Sequence, residues 1–258
     1  MPRIVPSSAR RMNLKIVPWR VALVLLLGSA TLFAVYAAVT WLRMRYGYDY
    51  ALGVAPLFDV DRSPNITAWY NALLFAAAAG CMALAGTGVA PRERLSWWGA
   101  TAVLTALSIS EIAELGSTLT KAITGIFDIE RSTLIATFGA AGMLLAIAFL
   151  PMLSRLPRGT SALLVLAAGA YVAAVSLGYV RTQTAEAITQ TALGELTEVQ
   201  WAKVRQDWAY VFQAVSERGF RMAAPILCVY AVLSCLSGNG ASLSLHIAPK
   251  TSPSGASE

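Results

Sequence analysis

Glu111 and Glu114 are the only acidic residues inside the apolar stretches of this 258-residue chain. Their three-residue spacing puts them at neighbouring positions on one helix face. Ser108, Ser110, Ser117, Thr118 and Lys121 add polar groups around the same helix end. Counted from Trp97 at 1.5 Å per residue, Glu111 lies about 21 Å and Glu114 about 25 Å along the helix, in its outer third. An ionisable group at the centre of a membrane helix costs on the order of 2.5–3.5 kcal/mol and so needs a partner or water. Glu111, Glu114, Ser108 and Lys121 are therefore the candidate set for handling a proton or an ion. The competing reading ends the helix early and lets both carboxylates reach interfacial water or Lys121.

A second acidic feature occurs twice. Phe58-Asp59-Val60-Asp61-Arg62-Ser63 and Phe127-Asp128-Ile129-Glu130-Arg131-Ser132 share four identical positions, and each precedes an apolar stretch. Asp59, Asp61, Asp128 and Glu130 would suit an outer vestibule that attracts a cation. The simpler account is helix capping: Ser63 before Pro64, and Ser132, read as N-caps, with carboxylates favouring the positive end of the helix dipole. The repeat suggests a parallel duplication, spans two and three matching spans four and five about an axis along the membrane normal.

The elements that must position these groups follow from composition. The chain is 57% apolar and 13% charged, against about 25% charged in an ordinary soluble domain. Crossing a hydrocarbon core of about 30 Å takes about 20 apolar residues in a helix. Six stretches qualify, at 21–42, 68–90, 97–115, 133–153, 160–180 and 220–237. None alternates like an outer-membrane strand, so the expected fold is all-α: an integral membrane bundle of six transmembrane helices over 21–237. It is flanked by a basic segment, 1–20, and a flexible tail, 238–258. The first stretch has the basic flank of a signal peptide, but its length exceeds the 7–15 residues of a typical secretory apolar region, so it reads as a retained span.

Basic residues orient the bundle. Arg3, Arg10, Arg11, Lys15 and Arg20, then Arg92 and Arg94, then Arg155 and Arg158 all fall on one side, predicting cytoplasmic termini. The net charge of +6 resolves into a cytoplasmic excess of +8, zero in the outer loops, and −2 from Glu111 and Glu114. The excess is a topology signal rather than a nucleic-acid footprint. Trp19, Trp41, Trp69, Trp97, Trp98 and Tyr179 fall at span ends, as interfacial rings do. Ala72/Ala76/Gly80, Ala79/Ala83/Thr87, Gly169/Ala173 and Ala174/Gly178 form four-residue small stripes that would let helices approach closely. In the last outer loop, 181–219, Thr197-Glu198-Val199-Gln200 matches a capping box. Trp201, Val204, Trp208, Val211, Phe212 and Val215 then predict an amphipathic helix that covers the bundle, lies on the membrane, or runs into the sixth span.

The absent residues exclude several chemistries. The sole histidine, His246, lies in the tail, so one chain cannot build an internal haem pair, a His-based zinc or copper site, or a Ser-His-Asp triad within the membrane. Cys81, Cys228 and Cys235 lie within spans without Cys-x-x-Cys spacing, which reads as apolar packing. No phosphate-cradling glycine loop is present. Metal and cofactor sites are therefore not expected. Asn65-Ile66-Thr67 fits a glycan-acceptor pattern, but nothing in the chain points to a eukaryotic secretory host.

From Leu57-Phe58-Asp59-Val60-Asp61 through Asn65-Ile66 and Trp69-Tyr70, the chain resembles a group of uncharacterised bacterial polytopic proteins with a Phe-Asp-x-Asp segment before a span. Members of that group carry Ser-Leu-Asp-Glu in the next span and His-Glu soon after. Here Ser108-Ile109-Ser110-Glu111 keeps the serine and the glutamate, and Gly116 and Ser117 stand at the His-Glu positions. The resemblance implies a multi-pass protein of a bacterial inner membrane and brings no activity with it. The leading expectation is a non-enzymatic subunit or scaffold, with the lipid bilayer and a membrane-protein partner or a second copy as its contacts. The alternative is a small ion- or proton-coupled transporter using the intramembrane carboxylates, and a membrane-embedded enzyme ranks third.

Overall fold

The computed structural model describes residues 11–14, 17–46, 55–58, 65–113, 131–191, 197–238 and 243–246. Among the described residues eight helices carry the architecture: α1 (Pro18–Tyr46), α2 (Ala55–Phe58), α3 (Ile66–Thr87), α4 (Pro91–Ala113), α5 (Arg131–Leu153), α6 (Arg158–Thr189), α7 (Glu198–Val204) and α8 (Trp208–Gly238). Two four-residue strands, β1 (Arg11–Leu14) and β2 (Leu243–His246), pair antiparallel with Arg11 opposite His246. The pairing brings the segments flanking α1 and α8 together, including part of the tail expected to be flexible.

Four helices, α1, α3, α6 and α8, are long and apolar enough to cross a membrane. The expected spans at 97–115 and 133–153 fall inside α4 and α5. Among the described residues these two helices do not reach the same measure, although Gly142–Leu153 of α5 is a shorter apolar helix. Arg92, Glu93, Arg94, Ser108, Ser110 and Glu111 make α4 more polar than its neighbours. Larger corrections fall at the last two spans. α6 continues past 180 to Thr189, and α8 starts at Trp208 rather than 220. Most of the expected outer loop 181–219 is thus helix, extending two spans beyond their apolar cores.

Caps explain several boundaries. α3 starts after Asn65, whose side-chain oxygen accepts from the Ala68 N–H at 2.6 Å, so the cap is Asn65 and not Ser63. Asn65 is 2% exposed, which takes it away from any glycan. α5 starts at Arg131, so Ser132 lies in its first turn rather than at its cap. The Thr197–Gln200 capping box is present and opens α7. The amphipathic pattern from Thr197 to Val215 then breaks at residues 205–207, where Asp207 Oδ1 accepts from the Tyr210 N–H and starts α8. The break turns Val204 inward against Ala185 and Tyr210 and leaves Trp208 and Phe212 outside.

α6 and α8 pack along most of their lengths, α3 and α4 form a tight hairpin, and α3 and α1 lie against α8. In the hairpin, a Cβ at Gly86 would come within 3.0 Å of Trp97 Cβ, so the glycine sets how closely the helices meet. Trp97 is 4% exposed and belongs to the core, whereas the other rings expected at span ends are exposed. The small-residue stripes divide in the same way. Ala72, Ala79 and Ala174 are buried and Gly178 is covered, whereas Ala76, Gly80 and Gly169 face outward. The buried face of α3 follows a mixed three- and four-residue rhythm through Ala68, Ala72, Phe75, Ala78, Met82 and Ala85, because 3.6 residues make a turn. The cysteines are unbridged, with Cys228 in the core and Cys81 packed against it.

α1 is inverted relative to a helix on a soluble protein. Its buried residues are Ser29, Tyr36, Thr40 and Arg43, and its exposed ones include Leu23, Val24, Leu26 and Leu27. The two short links meet at one end of the molecule, where Arg155 pairs with Glu93 at 2.9 Å. Replacing Gly86 with valine should force α3 and α4 apart at a cost of about 1–3 kcal/mol, as overpacking does. Gly80→Val, at a position with nothing within 4 Å of the added Cβ, should leave the unfolding midpoint in detergent nearly unchanged.

Candidate functional site

Five charged side chains from three helices converge where the apolar parts of α6 and α8 give way to their extensions. On α8, Glu217 and Arg221 stand one turn apart with the acid first, the favourable order for an i,i+4 pair. Arg221 Nη2 donates to Glu217 Oε1 at 2.7 Å. From α6, Arg181 Nε lies 2.9 Å from Glu217 Oε2, so both carboxylate oxygens hold a guanidinium. From α4, Glu111 receives Arg221 Nη1 at 3.4 Å and Arg218 Nη1 at 3.5 Å. Arg221 is thus shared between the two carboxylates and ties α4 to α8.

Burial makes these pairs consequential. The Glu217 side chain is 3% exposed and that of Glu111 is 8% exposed. Each would be strongly destabilising without its cations. The helix packing is shaped to this end. Gly178 stands one turn before Arg181 on α6, and a Cβ there would sit 3.1 Å from Glu217 Cδ, so any larger residue would press on the carboxylate. Ala174, one further turn back, is fully buried. The Tyr210 ring lies 5.6 Å from the Arg181 guanidinium carbon, a cation–π contact that helps hold the arginine in position. Nearby, Tyr171 of α6 meets Phe75 of α3 edge-on at 5.8 Å.

Of the residues expected to form a site, Glu111 is at its centre. Ser108, one turn earlier, serves another purpose: its hydroxyl donates to the Ala72 carbonyl at 2.8 Å and clasps α4 to α3. Glu114, Lys121, Asp59, Asp61, Asp128 and Glu130 lie outside the described residues. Among the described residues, no group of three or more His, Cys, Asp or Glu side chains lies together as metal ligands would. Glu111 and Glu217 are each taken up by guanidiniums.

Sequence reasoning missed Glu217, Arg218, Arg221 and Arg181 because it placed the first, second and fourth in the outer loop 181–219 and Arg221 at the edge of the sixth stretch, where charges need no buried partner. The signal was present in Val211, Val215, Met222 and Ile226, which recur at intervals of four, seven and four residues and so keep one helix face from the loop into the sixth apolar stretch. A continuous helix carries Glu217, Arg218 and Arg221 onto its inner side.

Fold and site together define an all-helical protein with helices of membrane-crossing proportions and a paired charge cluster enclosed among them. The chain belongs to the family described as a domain of unknown function, DUF8692, which matches residues 21–236. No curated protein and no solved structure matches it.

Removing Glu217 strands two guanidiniums. Glu217→Ala should cost about 3–5 kcal/mol, the range for breaking a buried pair from one side. In a double-mutant cycle read by thermal unfolding in detergent, Glu217→Gln combined with Arg181→Gln should lose less than the sum of the single changes.

Proposed function

We propose that this is a six-span protein of a bacterial inner membrane, with both termini cytoplasmic, acting as a non-enzymatic subunit or scaffold of a membrane complex. The observation that carries the membrane part is the inversion of polarity. Arg43 and Glu217 are buried, whereas Leu23, Leu27, Leu73, Met143, Leu144 and Val172 are exposed. Water would favour the reverse, and hydrocarbon favours this arrangement. The sidedness draws support from the Arg155–Glu93 bridge, which joins the two basic links, and from the pairing of β1 with β2. Basic residues concentrated at these places fit the cytoplasmic face.

The subunit reading draws on α5. Met143, Leu144, Leu145, Ile147 and Leu150 are all exposed, and among the described residues the principal helix contact of α5 is with α4. An apolar helix that the other described residues hold this lightly suits a surface that meets another membrane protein or a second copy. The transporter reading rests on the burial of Glu111, but the cluster argues against a cation as the cargo. Both carboxylates are occupied by arginines, and a cation would have to displace a guanidinium while facing the others.

Purification in a gentle detergent followed by native mass spectrometry should yield a stoichiometric complex with a membrane partner or a homo-oligomer. Isolation as a bare monomer at every detergent concentration would overturn the subunit reading. Reporter fusions to the two ends should both give the cytoplasmic signal, and opposite signals would overturn the six-span topology.

A further inference from the structure

We infer that the groove between α1 and α8 is a phospholipid site, with an acyl chain lying along α8 and the headgroup phosphate at Arg205. The inference rests on the membrane reading above and goes beyond the subunit reading. The groove holds about 370 Å³ and is lined by Phe33 of α1 and by Val215, Ser216, Gly219, Phe220 and Ala223 of α8. Small residues cut its floor: Ser216, Gly219 and Ala223 recur at three- and four-residue spacing on one helix face. Phe33 forms the far wall, and a Cβ on Gly219 would stand 3.8 Å from its Cζ. One and two turns before Ser216 the same face carries Phe212 and Trp208, which are exposed. From Trp208 to Ala223 this apolar stripe covers about 22 Å, half of a bilayer about 40–45 Å thick with its headgroups. It begins at an indole, a ring that favours the headgroup region.

Arg205 is an independent observation at the upper end of that stripe. The residue is 6% exposed, and its Nε is buried without an acceptor. Among the described residues its guanidinium meets the Trp201 ring, 5.5 Å from Cζ, and no carboxylate pairs with it. Asp207, two positions on, uses Oδ1 to accept from the Tyr210 N–H instead. A cation withdrawn from water without a counter-charge is costly, which favours an anion from outside the chain. Three residues separate Arg205 from Trp208, so their Cα atoms stay within about 11 Å however the elbow bends. A phospholipid supplies both halves of what this end of α8 lacks: an oxyanion for the guanidinium and a chain for the apolar face. A free anion would leave the groove unfilled, and an apolar partner helix would leave Arg205 without a counter-charge.

The test uses the full chain purified in detergent and titrated with three probes, with bound species resolved by native mass spectrometry. Dioleoylphosphatidylglycerol carries phosphate and chains, dioleoylglycerol lacks the phosphate, and glycerophosphate lacks the chains. The natural chain should bind the first at least tenfold more tightly than either of the others. Gly219→Leu, which fills the groove, and Arg205→Leu, which removes the cation, should each weaken phosphatidylglycerol binding at least tenfold. Arg205→Leu should leave dioleoylglycerol binding unchanged, which a general loss of structure would not do. The inference is overturned if either partial probe binds as tightly as phosphatidylglycerol, or if either variant binds phosphatidylglycerol with the natural affinity. A dimer that Gly219→Leu abolishes also overturns it, because a second copy would then fill the groove. The membrane reading fails by a different result, recovery of the folded chain in solution without detergent.

Discussion

Glu217 is a carboxylate withdrawn from water, and the requirement that it be met by cations governs how the surrounding helices stand. Its two oxygens hold Arg181 of α6 and Arg221 of α8 at 2.9 and 2.7 Å. The Arg221 contact is a charge-assisted hydrogen bond, roughly twice as strong as a neutral one, and the Arg181 contact is a close ion pair. Because Arg181 must reach Glu217 from the neighbouring helix, α6 and α8 are fixed in height and rotation relative to each other. Gly178 leaves room for the Glu217 carboxylate against the α6 backbone. The extensive α6–α8 contact is as much a consequence of this constraint as of apolar packing.

The same constraint accounts for the inverted polarity of the rest of the molecule. Within a bilayer, apolar side chains gain little by meeting one another rather than lipid, so association relies on close packing and on polar groups that lack an alternative partner. Polar residues accordingly turn inward on several helices: Ser29, Thr40 and Arg43 on α1, Asn65 and Asn71 on α3, and Glu217 on α8. Small residues let the backbones approach where they meet, at Ala72, Ala79, Ala174 and Gly86. Larger aliphatic side chains on α1, α5 and α6 point away from the bundle. A soluble protein with this distribution would expose a large aggregation-prone surface.

How much of this was legible in the sequence depends on the kind of signal. The apolar stretches located the helices, because hydropathy summed over about 20 residues is robust to a few polar substitutions. The Thr197–Gln200 cap was legible because its mechanism is local. Three-dimensional pairing was harder. Glu111 stood out because it interrupts an apolar run, but its partners Arg218 and Arg221 lie more than a hundred positions along the chain, in a segment that reads equally well as a solvated loop. The continuation of α8 through that segment decides the matter, and it shows only if the apolar period is followed from Val211 across Glu217 into the sixth stretch. The small-residue stripes misled where they were drawn at strict four-residue spacing. A straight helix drifts off such a line within two turns, which is why Ala72 is buried while Ala76 and Gly80 face outward.

The charge network is graded, and the grading says where the bundle is stiff. Bonds within the α6–α8 pair are 2.7 and 2.9 Å, whereas those reaching Glu111 on α4 are 3.4 and 3.5 Å, at the outer limit of useful hydrogen bonding. α4 is held more firmly by α3, through Gly86, Trp97 and the Ser108–Ala72 clasp, than by the arginines it faces. The described bundle therefore consists of two tightly bonded pairs, α3–α4 and α6–α8. They meet through α3 packing on α8 and through Arg218 and Arg221, which both reach Glu111. A change in the electrostatic demand on Arg221 acts first on the weaker contact with Glu111, leaving Glu217 and the α6–α8 pair intact.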